Sequence, residues 1–252
     1  MIFQAHKGVS TEYPENTMPA FTAAVKQGYD VIELDVSVTK DLEFVILHDS
    51  AINRTARKVN GEELCERIEI NNIDYKDLLE YDFGLWFSDE YKGTKIPLLT
   101  EVLDFAKINN VKVKIDNKYQ KFTSEQMNKF FETLNLYTDV ACLTCSNLEE
   151  LKRVNKIFPD MYLHYDGPVS LEVLNRIGSF INKEQLTVWI PHKNKNTSWV
   201  KVEFANEKLA KMIKEYASLG VWILSEESHL NEAEILGADI IETNGQLKPK
   251  RC

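Results

Sequence analysis

Two histidines, three carboxylates and a lysine carry the chemistry of this sequence. His6 ends the run Ile2-Phe3-Gln4-Ala5, and His48 ends Phe44-Val45-Ile46-Leu47. Glu33 and Asp35 lie within Val31-Ile32-Glu33-Leu34-Asp35-Val36, Asp116 ends the strand pattern 111–116, and Lys118 follows two residues later. Polar groups at the ends of successive buried strands converge on one end of a parallel barrel or sheet. Glu33 and Asp35 are two apart, so on a strand both point the same way. Two carboxylates there are costly unless a cation pairs with them. An all-oxygen set completed by Asp116 favours Mg2+ or Ca2+ over Zn2+. His6 and His48 suit proton transfer near neutral pH, one taking a proton from an attacking hydroxyl and the other giving one to a leaving oxygen. A metal and Lys118 would hold non-bridging phosphate oxygens as charge develops. The structural alternative makes the histidines strand-end hydrogen-bonding residues, with the carboxylates paired to Lys7 and Lys118.

The elements that must position these groups alternate between strand and helix. Strand patterns fall at 2–6, 31–38, 44–48, 111–116, 140–145, 161–165, 186–190, 221–224 and 239–242. Helix patterns fall at about 17–28, 100–109, 123–135, 147–157, 170–181 and 205–219, with Thr100 and Ser146 or Asn147 as expected N-caps. This order predicts a parallel sheet, and the length favours one closed (β/α)8 barrel domain over residues 1–252. Nine strand candidates compete for its eight positions, and periodicity does not say which lies outside. Residues 50–98 are long, polar and aromatic, too long for an ordinary connection, and predict a small insertion after the third strand, lying over one end of the barrel.

Composition narrows the class. With 252 residues, 44% of them hydrophobic, the chain can bury a sizeable core. Its formal net charge of -9 and the lack of any long basic stretch before Lys248-Pro249-Lys250-Arg251 argue against nucleic acid as a general partner. An anionic substrate therefore needs local help from a metal or from Lys and Arg. Cys65, Cys142, Cys145 and Cys252 are scattered. Cys142 and Cys145 form a C-x-x-C, but on a strand their sulfurs face opposite ways and no second pair completes a zinc set. This usage fits a reducing compartment. No apolar run is long enough to cross a membrane, so a cytoplasmic protein without a stable membrane anchor is expected.

The ordered motifs carry a resemblance. Ala5-His6-Lys7-Gly8, Pro14-Glu15-Asn16-Thr17, Ile32-Glu33-Leu34-Asp35-Val36 and His48-Asp49 resemble the glycerophosphodiester phosphodiesterase family. Asn53-Arg54-Thr55, Phe83-Gly84-Leu85-Trp86-Phe87 and Ile96-Pro97-Leu98-Leu99 continue it, and it returns weakly at Val221-Trp222 and Gly237–Asn244. The resemblance implies a TIM-type barrel, a divalent metal, and hydrolysis of a small glycerophosphodiester to glycerol 3-phosphate and an alcohol. It assigns His6 and His48 as the acid/base pair, Glu33, Asp35 and Asp116 as metal ligands, and Lys7, Lys118 and Trp222 to substrate. Lys7 stands where the family usually has arginine, Asp116 where it has glutamate, and Asn244 where aspartate is common. Two other functions remain open: a lysolipid phosphodiesterase or lyase forming a cyclic phosphate, and a non-catalytic barrel that binds phosphorylated ligands. His164, Tyr165, His192 and Lys193 are further pocket candidates, and His229 reads as a solvated helix residue.

Overall fold

The computed structural model describes residues 1–250; Cys252 lies outside them. Eight parallel strands close into a barrel: β1 (Ile2–Ala5), β2 (Val31–Leu34), β7 (Lys112–Ile115), β8 (Ala141–Cys145), β9 (Leu163–Tyr165), β10 (Leu186–Pro191), β11 (Ser218–Leu224) and β12 (Ile240–Thr243). β1 and β12, the two ends of the chain, pair with each other and seal it. The candidate that lies outside is 44–48. The extended run 31–38 breaks after Leu34, and its second half, β3 (Val36–Val38), pairs antiparallel with β4 (Phe44–Ile46) beside the barrel. His48 thus reaches the site from a hairpin rather than from a barrel strand.

The helices α1 (Met18–Lys26), α3 (Leu99–Asn109), α4 (Ser124–Leu134), α5 (Leu148–Ile157), α6 (Leu171–Gly178), α7 (Glu207–Lys214) and α8 (Glu227–Ile235) return the chain between barrel strands; α2 (Tyr75–Leu78) belongs to the excursion. Their starts are local chemistry: Thr123, Asn147, Ser170 and Asn206 each accept a backbone N–H of the first turn. Thr100 is not a cap. It lies inside α3, and the Glu101 carboxylate accepts the Leu98 N–H at 2.8 Å instead. Among the described residues no helix is long and apolar enough to cross a membrane.

Outward-facing strand residues such as Ile32, Leu34, Val113, Leu143 and Val188 pack under the helices in one continuous core. A separate apolar cluster lies in the excursion. Val45, Leu47, Ile52, Ile70, Leu78 and Phe83 gather there, with the short ladder of β5 (Arg57–Lys58) and β6 (Tyr81–Asp82) beside them. The 50–98 stretch is therefore a folded unit with its own core.

Candidate active site

The barrel interior is polar. Gln4, Glu242, Lys114, Thr144, His164 and Trp189 are all buried inside it. Burying a charge costs several kcal/mol unless it is paired, and these are paired. Lys114 Nζ lies 3.1 Å from Glu242 Oε2, Gln4 donates to the same oxygen, and Lys114 sits 4.3 Å over the Trp189 ring. Trp189 Nε1 donates to His164 Nδ1 at 2.9 Å. Gly220 makes room for that indole, because a Cβ there would meet the Trp189 ring at 2.5 Å. Burial and the Lys114 charge hold His164 well below the usual histidine range, so it is a neutral acceptor in the barrel floor.

Above this floor, at the C-terminal ends of the strands, opens a cavity of about 500 Å3 lined by His6, Glu33, Asp35, His48, Asp116 and Trp222, among others. Six of the eight predicted site residues meet there. Burial and the Asp35 and Glu242 charges push the Glu33 carboxyl well up, and burial and Asp35 likewise raise Asp116. Burial also pushes Asp35 up, but Lys118, Lys7 and His48 outweigh it and hold the group low. Lys118 Nζ is 2.8 Å from Asp35 Oδ1 and donates to the His48 carbonyl, tying the hairpin to the barrel.

The other two, Lys118 and Lys7, lie outside the cavity lining. Lys118 braces Asp35 from outside the cavity lining. Lys7 directs its ammonium to Glu15, 3.3 Å away, and also does not line the cavity. Its contribution there is its backbone N–H, which donates to Glu33 Oε2 at 2.9 Å. Lys7 and Asn16 both adopt positive φ, 58° each, an uncommon conformation for side-chain-bearing residues. Asn16 Nδ2 donates to Asp35 Oδ2 at 2.8 Å. The unusual backbone thus aims one donor at each carboxylate.

Both histidines are oriented through Nδ1. His6 donates from Nδ1 to Asn244 Oδ1 at 2.7 Å, and its Nε2 lies 3.9 Å from Glu33. His48 donates from Nδ1 to Asp49 Oδ1 at 2.6 Å. In each ring Nε2 is left as the position that exchanges a proton.

Other candidates do not reach the cavity. His192 is buried, with Nε2 donating to Glu232 at 2.8 Å and its ring 4.5 Å from that of His229. His229 is thereby packed against a neighbour and only 14% exposed at its side chain, not solvated. Lys193 is exposed and, like His192, absent from the lining. Tyr165 faces outward and gives its hydroxyl to the Pro168 carbonyl. Cys142 and Cys145 are free and buried, and burial pushes both thiols up to about 12, so neither is a ready thiolate.

With this geometry in place, comparison with known proteins is decisive. Residues 6–141, more than half of the chain, match the glycerophosphoryl diester phosphodiesterase family. The chain belongs to that family. A glycerophosphodiester phosphodiesterase of Caldanaerobacter subterraneus subsp. tengcongensis is 30% identical over 161 residues, 62% of this chain and 63% of the relative. One from Bacillus altitudinis is 40% identical over 102 residues, 40% of this chain and 38% of the relative. The matched stretches thus span under two thirds of either relative. A phosphodiesterase of Oleispira antarctica, solved in complex with sn-glycerol-3-phosphate, shares the fold with a TM-score of 0.77 over 98% of this chain and 94% of its own, at 20% identity.

Several residues of this family member escape a reading by motif. Glu15, Asn16 and Arg54 lie in matched motifs but carry no obvious role until the hydrogen bonds are seen. Lys114, Glu242 and Asp166 also line the cavity. The only sequence signal for Lys114 and Glu242 is a charged residue in the inward register of a barrel strand, and Asp166 follows a strand end as Asp116 does.

Proposed function

We propose that this chain hydrolyses glycerophosphodiesters to glycerol 3-phosphate and an alcohol, with a divalent cation as cofactor. One observation carries the proposal: His6, His48, Glu33, Asp35 and Asp116 line a single cavity at the C-terminal end of the barrel in a member of this family. The donor set fits a cation chemically. It is all oxygen, and burial with mutual repulsion holds Glu33 and Asp116 up, a charge imbalance that a bound cation relieves. Among the described residues no three such side chains stand in metal-holding positions, and Lys118 takes one oxygen of Asp35, so binding requires these side chains to close in. Glu33, Asp35 and Asp116 would hold the ion, Mg2+ or Ca2+, which would supply charge stabilisation at the phosphoryl oxygens.

The protein's own part is proton transfer and orientation. One histidine Nε2 accepts the proton of the attacking hydroxyl as its oxygen bonds to phosphorus. The other gives a proton to the alcohol oxygen as its bond to phosphorus breaks. Asn244 and Asp49 hold the two rings in the tautomer this requires. The attacking hydroxyl belongs to water or to the substrate's own glycerol, the latter giving a cyclic phosphate first. The buried free cysteines suit a reducing compartment, which supports a cytoplasmic location.

The test is to incubate glycerophosphodiesters with the protein and Mg2+, Ca2+ or Mn2+ in turn, measuring glycerol 3-phosphate, cyclic phosphate and melting temperature. Release of glycerol 3-phosphate and a metal-dependent rise in melting temperature are expected. Absence of both products and of any shift with all three ions rejects the proposal.

A further inference from the structure

The loop between β10 and α7 holds a tryptophan in the open. Trp199 is 71% exposed, and nearby Val202 is 53% exposed. The loop beneath them is firmly built. Buried Thr197 donates to the His192 carbonyl. Asn194 caps the short turn Lys195–Thr197, and its Nδ2 donates to the Ile223 carbonyl at 2.9 Å. The Trp199 indole Nε1 donates to the Asn196 carbonyl at 3.0 Å. The one polar atom of the ring is therefore satisfied within the loop. What faces water is hydrocarbon, and it can leave water without losing a hydrogen bond.

The charges flanking this ring are nearly all of one sign. Lys193, Lys195 and Lys201 are exposed, and among the described residues none of them makes an ion pair. The single acid of the stretch 193–203, Glu203, is engaged by Asn206 Nδ2 at 2.8 Å. The preceding β–α loop adds apolar surface. Pro168 and Val169 share a cavity of about 330 Å3 with Val202, and Leu171, just beyond them, is 53% exposed. An indole flanked by lysines suits the boundary between lipid head groups and acyl chains. There the ring sits at head-group level and the ammonium groups meet anionic phosphates. The net charge of -9 does not forbid this, because acids more than about 10 Å from the lipid are screened at ordinary salt. A second copy of the chain is a poorer occupant, since a two-fold contact would bring the same lysines together.

We propose that this loop docks the protein reversibly on anionic lipid surfaces. Trp199 and Val202 enter the interface, and the three lysines hold it there. Asn196 and Trp199 also line the catalytic cavity, so docking turns the open end of the barrel toward the lipid. The docking does not depend on the phosphodiesterase reading and is measured without turnover.

The test is flotation of the protein with vesicles of equal parts phosphatidylcholine and phosphatidylglycerol, and with vesicles of phosphatidylcholine alone. Binding to the anionic vesicles should exceed binding to the neutral ones about a hundredfold at low salt, about fivefold for each lysine, and should weaken as salt rises. The triple variant Lys193→Gln, Lys195→Gln, Lys201→Gln should lose that preference. Trp199→Ser should weaken binding about tenfold. Phosphatidylcholine brominated in its acyl chains, mixed with phosphatidylglycerol, should quench tryptophan fluorescence in the wild type and much less in Trp199→Phe. All four positions are exposed, and circular dichroism checks that each variant is folded. No binding to anionic vesicles, equal binding to both kinds, full binding by the triple variant, or equal quenching in Trp199→Phe each overturns the proposal. Poly-L-glutamate or oligothymidylate bound as tightly as the vesicles overturns it in favour of a soluble polyanion. Dimerisation that Trp199→Ser abolishes, seen by sedimentation, overturns it in favour of a second copy. Lipid binding without cleavage of any diester leaves the docking surface standing and rejects the phosphodiesterase reading. Cleavage without lipid binding does the reverse.

Discussion

His6 and His48 face the same cavity but are held there in opposite ways. His6 rises from a barrel strand, its side chain 22% exposed, and a neutral side chain, Asn244, orients it. The barrel positions it, since β1 and β12 pair in register and bring the two residues together. His48 stands on a hairpin outside the barrel, its side chain 42% exposed, and a chain of ions orients it. Asp49 Oδ1 accepts the hydrogen bond from His48 Nδ1, and Arg54 Nε donates to the second Asp49 oxygen at 2.6 Å. Arg54 also grips Glu15 with two bonds of 3.0 and 2.7 Å, and Glu15 lies 3.3 Å from Lys7, the residue after His6. Burial pushes the Asp49 carboxyl up, but Arg54 and His48 outweigh it and leave it at about 2. Where the closed sheet dictates position, one neutral hydrogen bond is enough. Where an excursion must reach back over the barrel, charge has to fix the ring.

That contrast can be broken at several points. The largest effect is expected from His6→Ala and His48→Ala. Each should lower kcat by about 10²–10⁴-fold, the usual worth of a proton-transfer group. The folded state should survive, by circular dichroism and thermal melting. Wild-type turnover in either variant would remove that residue from the proton-transfer role. Next is Leu78→Ala, which opens a cavity in the core of the excursion and should cost about 2–5 kcal/mol by chemical denaturation. If the excursion is what places His48, a metal-induced rise in melting temperature should persist in this variant while activity falls. A variant that keeps full activity would separate His48 from that core.

A smaller effect is expected from Arg54→Met. Loss of the Asp49 and Glu15 contacts should reduce kcat about tenfold, a loss typical of misplaced proton carriers, with little change in stability because the side chain is 43% exposed. Asn244→Ala is the matching change for His6. Equal losses from Arg54→Met and Asn244→Ala would show that the ionic and the neutral anchors are equivalent. The smallest effect concerns the barrel floor. His164 is held neutral in the folded protein, below its unfolded value of about 6.5. As pH falls through that value the unfolded chain gains a proton that the folded chain does not, so stability is lost toward acid. The raised carboxyls of Glu33, Asp116 and Asp166 act in the opposite sense, so a difference is the useful measurement. Wild type should lose on the order of 1 kcal/mol more than His164→Asn between pH 7.5 and 5.5. Parallel stability curves would rule this out.

Most barrel strands were legible because a short apolar run is followed by a helical period; β2, which runs on into β3, and β12, which no helix follows among the described residues, were read from their apolar runs alone. The cluster of His6, Glu33, Asp35 and Asp116 was legible because strand ends converge in a barrel. Phe44–Ile46 was not distinguishable from a barrel strand, since a buried hairpin strand carries the same apolar run. The role of Lys7 was hidden because it acts at Glu33 through the backbone, which no side-chain comparison reveals. Lys114 and Glu242 pair across 128 residues, and His192 and His229 pack across two elements, so their partners are set by register and not by spacing. Asp166 follows a strand end as Asp116 does, so its place at the cavity was open to the same reading.

The bond between His6 and Asn244 spans 238 residues. During synthesis the residue that aims this histidine is added 238 residues after it. At about 5–20 residues per second, the interval between them is on the order of tens of seconds. Through that time the nascent chain holds its carboxylates and His48 but has no closed barrel to set His6. The support for His6 is therefore completed late, when β12 docks against β1.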